Sequence, residues 1–296
     1  MSTSYLTSGP ALSAVDAGRK IERLIISHSS FVVAKNQLVR LADLAHQLRD
    51  PGGLVLAGES GTGKDSLIDA MKLLMPSSNL LDSVHRRLVI VNTDAAPSVG
   101  DFTAKMLIQL GYSFAKFGKA DNSERRDILV EALIACRVRL MLLNEFQHVI
   151  EGNRNKLGHA LADWFKRLYD DTRIPMVFLG TPVVLRVLDI NEQFASRFSG
   201  IYRLNPLENS PEFLGILKAF DVAVPELAPA GLATSRFSKR IHKATGGVMR
   251  PLKRLIKEAV MLAVTESESK VALRHFREAY QRIHGEYSGE NPFLET

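Results

Sequence analysis

The sequence contains one cysteine, one tryptophan and no apolar run long enough to cross a bilayer. Each shortage removes a class of protein. Cys136 alone cannot close an internal disulfide, so a stapled secreted scaffold is excluded and a reducing, cytoplasmic setting is expected. It also leaves no cysteine pair for a zinc site, and the eight histidines are scattered along the chain. Apolar runs break within about ten residues, short of the ~20 a spanning helix needs, so no membrane partner is expected. The first residues, MSTSYLTSGPALSAVDAGRK, lack a basic start followed by an apolar core and read as a polar arm rather than a secretory signal. No nucleophile elbow, Ser-His-Asp order, internal repeat or low-complexity tract stands out. Acidic residues are absent from 236–257, where eight Lys or Arg occur. That run reads either as a solvated helix face or as a phosphate-facing surface.

What is present describes a globular protein: 296 residues, 46% hydrophobic and 24% charged, with a net charge of +6. Five short runs, LVLAG (54–58), LVIVNT (88–93), RLMLLNE (139–145), PMVFLGT (175–181) and IYRLNPL (201–207), are apolar on both faces, as buried strands of a parallel sheet are. The segments 65–75, 99–111, 124–137 and 157–170 between them carry helical periodicity, and two further helices precede them within 19–49. After residue 207 only helices are expected, at about 210–220, 232–244, 248–264 and 271–283. The pattern predicts an α/β domain over 19–207 and a helical domain over 208–284, with an arm at 1–18 and a tail at 285–296.

The stretch AGESGTGKDS places Gly58, Gly63 and Lys64 at the spacing of a phosphate-binding loop. Glycines let the backbone curl so that several N–H groups point inward, and the following helix adds its positive end. A strand before the loop and a helix after it complete the expected context. Gly58, Glu59, Ser60, Gly61, Thr62, Gly63, Lys64, Asp65 and Ser66 are therefore the candidate phosphate contacts. The position after the lysine ordinarily holds a Ser or Thr for magnesium; here it is Asp65. An acidic residue should also end the partner strand, and there RLMLLNE has Asn144, followed by Glu145 in the place of the residue that activates water. One carboxylate has in effect moved from the strand tip to the loop. Asp65 and Asn144 are either a compensated pair that still holds magnesium, or the marks of lost hydrolysis.

In this order the motifs resemble the AAA+ ATPases, and within them the transposition regulators of the TniB/TnsC family. RLMLLNEFQHVIEGN, RIPMVFLGTP, NEQFASRF, APSVGDFTAKMLIQLGY and TGGVMRPLKRLIKEAVMLAV carry the resemblance. It implies an ASCE-type P-loop fold: a parallel five-stranded sheet flanked by helices, with a C-terminal helical lid, binding ATP and Mg2+. It assigns Thr181 to a sensor of the γ-phosphate, Arg197 to a finger that reaches a neighbouring subunit, and Arg250 to a second sensor on the lid. Read without the family, Arg197 is a surface ion pair. The resemblance further implies a homo-oligomer, ring or helical filament, on double-stranded DNA, working with a transposase and a target-selection protein. Lys105, Lys116 and Lys119, within an insert at 97–119, are the candidate contacts to the DNA backbone, or ordinary surface lysines. Two other functions stay open: a nucleotide-binding scaffold with little hydrolysis, and a replication-type initiator or helicase loader.

Overall fold

The computed structural model describes residues 9–80, 83–94, 97–113, 121–151, 156–189, 192–285 and 290–294. The chain divides into two compact units, one of residues 29–204 and one of residues 1–28 with 205–296. Helix α1 (Gly9–Arg23) belongs to the second. The first unit then runs through α2 (Ser29–Leu44), β1 (Gly53–Gly58), α3 (Lys64–Leu74), β2 (Ser78–Leu80), β3 (Ser83–His85), β4 (Leu88–Asn92), α4 (Val99–Gln109) and α5 (Asn122–Ala135). It continues with β5 (Leu140–Asn144), α6 (Gln147–Glu151), α7 (Lys156–Thr172), β6 (Met176–Gly180), a 3-10 helix (Pro182–Asp189), α8 (Glu192–Ala195) and β7 (Phe198–Leu204).

Five strands form one parallel sheet in the order β4-β5-β6-β1-β7. Every residue of β1, β5 and β6 is buried, because helices cover both faces. Alternate residues feed two cores. Val55, Val89, Met141, Leu143 and Phe178 face a cluster built on Phe102, Leu129 and Phe165 of α4, α5 and α7. Leu54, Leu56, Leu142 and Val177 face Phe31 and Leu38 of α2 and Leu67 and Met71 of α3. This is the parallel five-stranded α/β sheet with flanking helices that the sequence predicts. One strand boundary differs from expectation by more than a residue. β7 lies three residues earlier than the apolar run at 201–207, because Phe198 also packs inward while Asn205 ends the strand. The short antiparallel hairpin β2–β3 was not anticipated, since three-residue strands carry no usable period.

Helices α4 and α5 each start on a capping box, Ser98 with Asp101 and Asp121 with Glu124. The Ser98 hydroxyl and backbone N–H hold the Asp101 carboxyl below the usual carboxylate range. By contrast, α3 starts on Gly63 with no side-chain cap.

The second unit holds α1, α9 (Pro211–Asp221), α10 (Ser235–Thr245), α11 (Met249–Thr265) and α12 (Leu273–His284) around Ile21, Phe213, Leu217, Ile241, Ile256 and Phe276. Of the expected arm at 1–18, residues 1–8 lie outside the described residues, and 9–18 belong to the helix Gly9–Arg23, with Ala14, Ala17 and Ile21 buried. At Gly18 it comes so close to α11 that a Cβ would stand 2.7 Å from Met261 Sδ. Glu22 pairs with Lys257 at 3.5 Å, and Lys20 pairs with Glu226. The expected tail also folds back in part. Phe293 is buried and stacks on Phe276, and Asn291 Nδ2 donates to Arg277 O at 3.0 Å. Both segments escaped the sequence reading because their apolar residues are small or isolated.

Candidate phosphate-binding site

β1 delivers the loop at Gly58. A Cβ at that position would stand 2.6 Å from Thr62 Oγ1 and 2.8 Å from Leu204 O, so only glycine fits. Gly61 and Gly63 take φ of 85° and 116°, which turn the backbone back toward the helix. Thr62 Oγ1 donates to Glu59 O at 2.8 Å and braces the turn. Lys64 is only 5% exposed, and its Nζ donates to Gly58 O at 2.5 Å and Glu59 O at 3.1 Å. The ammonium therefore sits in the bowl of its own loop, poised beside the uncapped first turn of α3. Glu59, Ser60 and Asp65 are exposed and Ser66 is half-buried.

The other wall consists of strand tips. Asn144 ends β5, directly opposite Asn92 at the end of β4. Its Nδ2 donates to Asn92 Oδ1 at 3.0 Å. Glu145 follows with φ 55°, a conformation that costs a non-glycine residue about 1–3 kcal/mol. Phe146 holds it there. The ring is buried 4.3 Å from Phe178 and 5.6 Å from Phe165, and the backbone N–H donates to Leu179 O at 2.9 Å. The Glu145 carboxylate accepts from Gln147 Nε2 at 2.5 Å. The other end of that amide, Gln147 Oε1, accepts from the Thr181 N–H at 3.2 Å. Gln147 thus ties the residue after β5 to the residue after β6. Gly180 makes room, since a Cβ there would lie 2.4 Å from Gln147 Oε1.

Three oxygens at these tips are buried and have no hydrogen-bond partner among the described residues: Thr93 Oγ1, Asn144 Oδ1 and Thr181 Oγ1. They follow or end β4, β5 and β6, which are neighbours in the sheet. Buried polar atoms are nearly always paired, so a row of unpaired oxygens on the strand tips makes these atoms candidate ligand contacts. Magnesium takes oxygen ligands and touches only one or two carboxylates when phosphates supply the rest, so a neutral Asn144 oxygen and an exposed Asp65 fit it. No cluster of three or more His, Cys, Asp or Glu exists among the described residues, and this donor set does not need one.

The remaining candidates lie elsewhere. Arg197 is held within its own chain: Nε and Nη2 donate to Asp170 Oδ1 of α7 at 3.3 and 3.2 Å, and Arg173 shares the same carboxylate. Arg250 is exposed in the first turn of α11, in the helical unit. Lys105 donates to Asn92 O at 2.7 Å and pairs with Asp94 at 2.6 Å, so it braces the tip of β4. Lys116 and Lys119 lie outside the described residues. Cys136 is buried at the end of α5, where burial pushes its thiol up. Trp164 packs among Phe102 and Phe165. The sequence reading missed Asn92, Thr93 and Gln147. The first two are the polar end of LVIVNT, and that end was the available signal. No helix among the described residues is long and apolar enough to cross a membrane.

Solved structures with this arrangement include Cdc6p from Pyrobaculum aerophilum, at 18% identity over 91% of this chain and 72% of that one, with a TM-score of 0.62. The ORC2 protein of Aeropyrum pernix, solved as ADPNP–ADP complexes, is also 18% identical, over 89% and 71%, with a TM-score of 0.63. The ORC1 protein of Aeropyrum pernix, solved in complex with DNA, is 16% identical over 88% and 66%, with a TM-score of 0.57. At such identities the likeness is one of fold. No curated protein matches the chain. The profile of the family described as bacterial TniB protein matches residues 20–205. That match covers well over half of the 296 residues and includes the loop and the strand tips, and the chain belongs to the bacterial TniB family.

Proposed function

We propose that this chain is an ATP-dependent regulator of DNA transposition, which assembles on double-stranded DNA as a homo-oligomer and recruits or activates a transposase at the target site. The observation that carries the nucleotide part is the loop with Lys64 in its bowl, facing strand tips that hold Glu145 and three unpaired buried oxygens. On binding, Lys64 exchanges its two carbonyl partners for the terminal phosphates, and the N–H groups of the loop and of α3 cradle the rest. Asp65 and Asn144 are the residues that would hold a magnesium ion, which would supply positive charge to offset that of the phosphates. Glu145 orients the attacking water and accepts its proton. Gln147 holds that carboxylate, and Thr181 senses the γ-phosphate. Arg250, in the first turn of α11, takes the second-sensor role that the family resemblance implies. Arg197 serves the neighbouring subunit's nucleotide, which requires it to leave Asp170.

Membership of the TniB family supports the transposition part, together with target-selection and transposase partners in the cytoplasm, and weighs against a replication initiator. The DNA held by the similarly folded ORC1 protein supports a DNA partner. Lys105, Lys116 and Lys119 are the proposed backbone contacts, and binding should weaken steeply with salt. A scaffold that binds ATP without turning it over is favoured by one specific observation, the moved carboxylate. Phosphate release with and without duplex DNA decides between the two: release at background beside tight ATP binding selects the scaffold. A double-mutant cycle tests compensation, in which Asp65→Ser and Asn144→Asp should couple by about 1 kcal/mol or more. Simple additivity would reject the compensated pair.

A further inference from the structure

We propose that Asn92 is a positioning residue for the metal side of this site: it fixes the Asn144 side-chain amide so that its oxygen, and not its NH2, is presented to the nucleotide's magnesium. The inference rests on the magnesium–nucleotide reading above and concerns a need that reading creates. An aspartate at a strand tip has two equivalent oxygens, and either can face a cation. An asparagine has one oxygen and one NH2, and a half-turn of the side chain exchanges them. Only the oxygen can meet a cation. A chain with Asn144 at this position therefore needs a partner that an aspartate would not need.

Asn92 is that partner. The parallel register of β4 and β5 sets it directly across from Asn144. Asn144 Nδ2 donates to Asn92 Oδ1 at 3.0 Å, which engages one N–H of the NH2, while Asn144 Oδ1 is buried with no partner among the described residues. The backbone of the tip that carries Asn92 is itself fixed. Lys105 Nζ donates to the Asn92 carbonyl at 2.7 Å, and the Thr93 N–H donates to Asn144 O at 2.9 Å. Asn144 is 6% exposed, so a reversed amide would leave its NH2 buried against a cation. Asn92 is exposed, and substitution there leaves the core intact.

The test uses the full chain and a fluorescent ATP analogue, titrated in EDTA and again in saturating Mg2+. Mn2+ serves as a paramagnetic reporter of the same site. In EDTA, Asn92→Leu should bind the nucleotide like the unmodified chain. Its gain in affinity on adding Mg2+ should shrink about tenfold, the usual loss when a partner that orients a metal ligand is removed. Asn92→Asp, which can only accept, should keep the full gain. In the Asn144→Asp background, Asn92→Leu should cost nothing, because a carboxylate needs no orienting. The proposal is overturned if Asn92→Leu keeps the whole magnesium effect, or if it is as costly in the Asn144→Asp background. Melting curves near that of the unmodified chain exclude a folding defect. If the unmodified chain binds no nucleotide, or binds it equally with and without Mg2+, the site reading itself falls and takes this inference with it.

Discussion

The two units treat their buried polar groups differently. In the helical unit these groups find partners. His275, fully buried, accepts from the Ala272 N–H at 3.0 Å through Nδ1 and meets Glu266 at 3.1 Å through Nε2. The half-buried Asp221 likewise accepts from the N–H groups of Ala230, Gly231 and Leu232 at 2.7, 2.8 and 3.1 Å. Thr245 Oγ1 donates to Ile241 O at 2.8 Å. Among the described residues, the unpaired buried side-chain atoms all belong to the α/β unit: Thr93, Arg126, Asn144, Trp164 and Thr181. Three of the five stand in a row on adjacent strand tips. An unsatisfied buried oxygen costs about 1–3 kcal/mol, so the α/β unit gives up stability where a ligand can restore the missing partners. The described residues of the helical unit include no such atom.

The comparison makes separable predictions. Its largest effect should fall on stability alone, in the helical unit. Gly247 has φ 69°, and a Cβ there would stand 1.8 Å from Leu207 O. Gly247→Ala should destabilise by about 3 kcal/mol or more, as strain against fixed backbone does, whereas its neighbour Gly246→Ala, with φ 58° and open space, should cost about 1 kcal/mol. Thermal unfolding of both variants checks the ratio, and equal losses would break the assignment. Next in size, Lys64→Ala should weaken ATP binding about 100-fold, since a hydrogen-bonded charge contributes about 1.5–3 kcal/mol, while the helical unit melts unchanged. Fluorescence titration of the nucleotide reads the first effect and differential calorimetry the second.

Gln147→Leu should lower turnover about tenfold with nucleotide affinity unchanged, because it releases the Glu145 carboxylate and the Thr181 N–H without touching the loop. A rise in the Kd for ATP, with kcat intact, would assign Gln147 to binding instead. This residue also marks the limit of what the sequence shows. The phosphate loop is legible because its glycines, its lysine, the strand before it and the helix after it are contiguous, and Glu145 is legible as the residue after an apolar strand. Gln147, Asn92 and Thr93 are not, because their roles come from contacts between strand tips far apart in sequence. Asn92 meets Asn144 only through the β4–β5 register, and no local pattern states a register. The sheet was readable from its five apolar runs, yet α1 was not. The residues that GPALSAVDAG buries, Ala14 and Ala17, are small, and its reason to fold is the surface of α11.

The smallest effect is the most direct probe of the comparison, because it should change sign between the units. Thr93 and Thr245 are both threonines with less than a tenth of their surface exposed. Thr93 Oγ1 has no partner, whereas Thr245 Oγ1 donates to Ile241 O and accepts from the Gly247 N–H at 3.4 Å. Valine has the same shape and no hydroxyl. Thr245→Val therefore loses a satisfied hydrogen bond and should destabilise by about 1 kcal/mol, while Thr93→Val removes an unsatisfied oxygen and should stabilise by a similar amount. The shift in midpoint should be a few degrees or less each way for a chain of this size. Adding Mg2+ and ATP should reverse the order at Thr93: the unmodified chain gains midpoint on ligand binding, and Thr93→Val gains less, because the oxygen it lost is one the ligand uses. A Thr93→Val chain that melts higher and gains as much from Mg–ATP would show the orphaned hydroxyl to be a packing fault, and the row of strand-tip oxygens would shrink to Asn144 and Thr181.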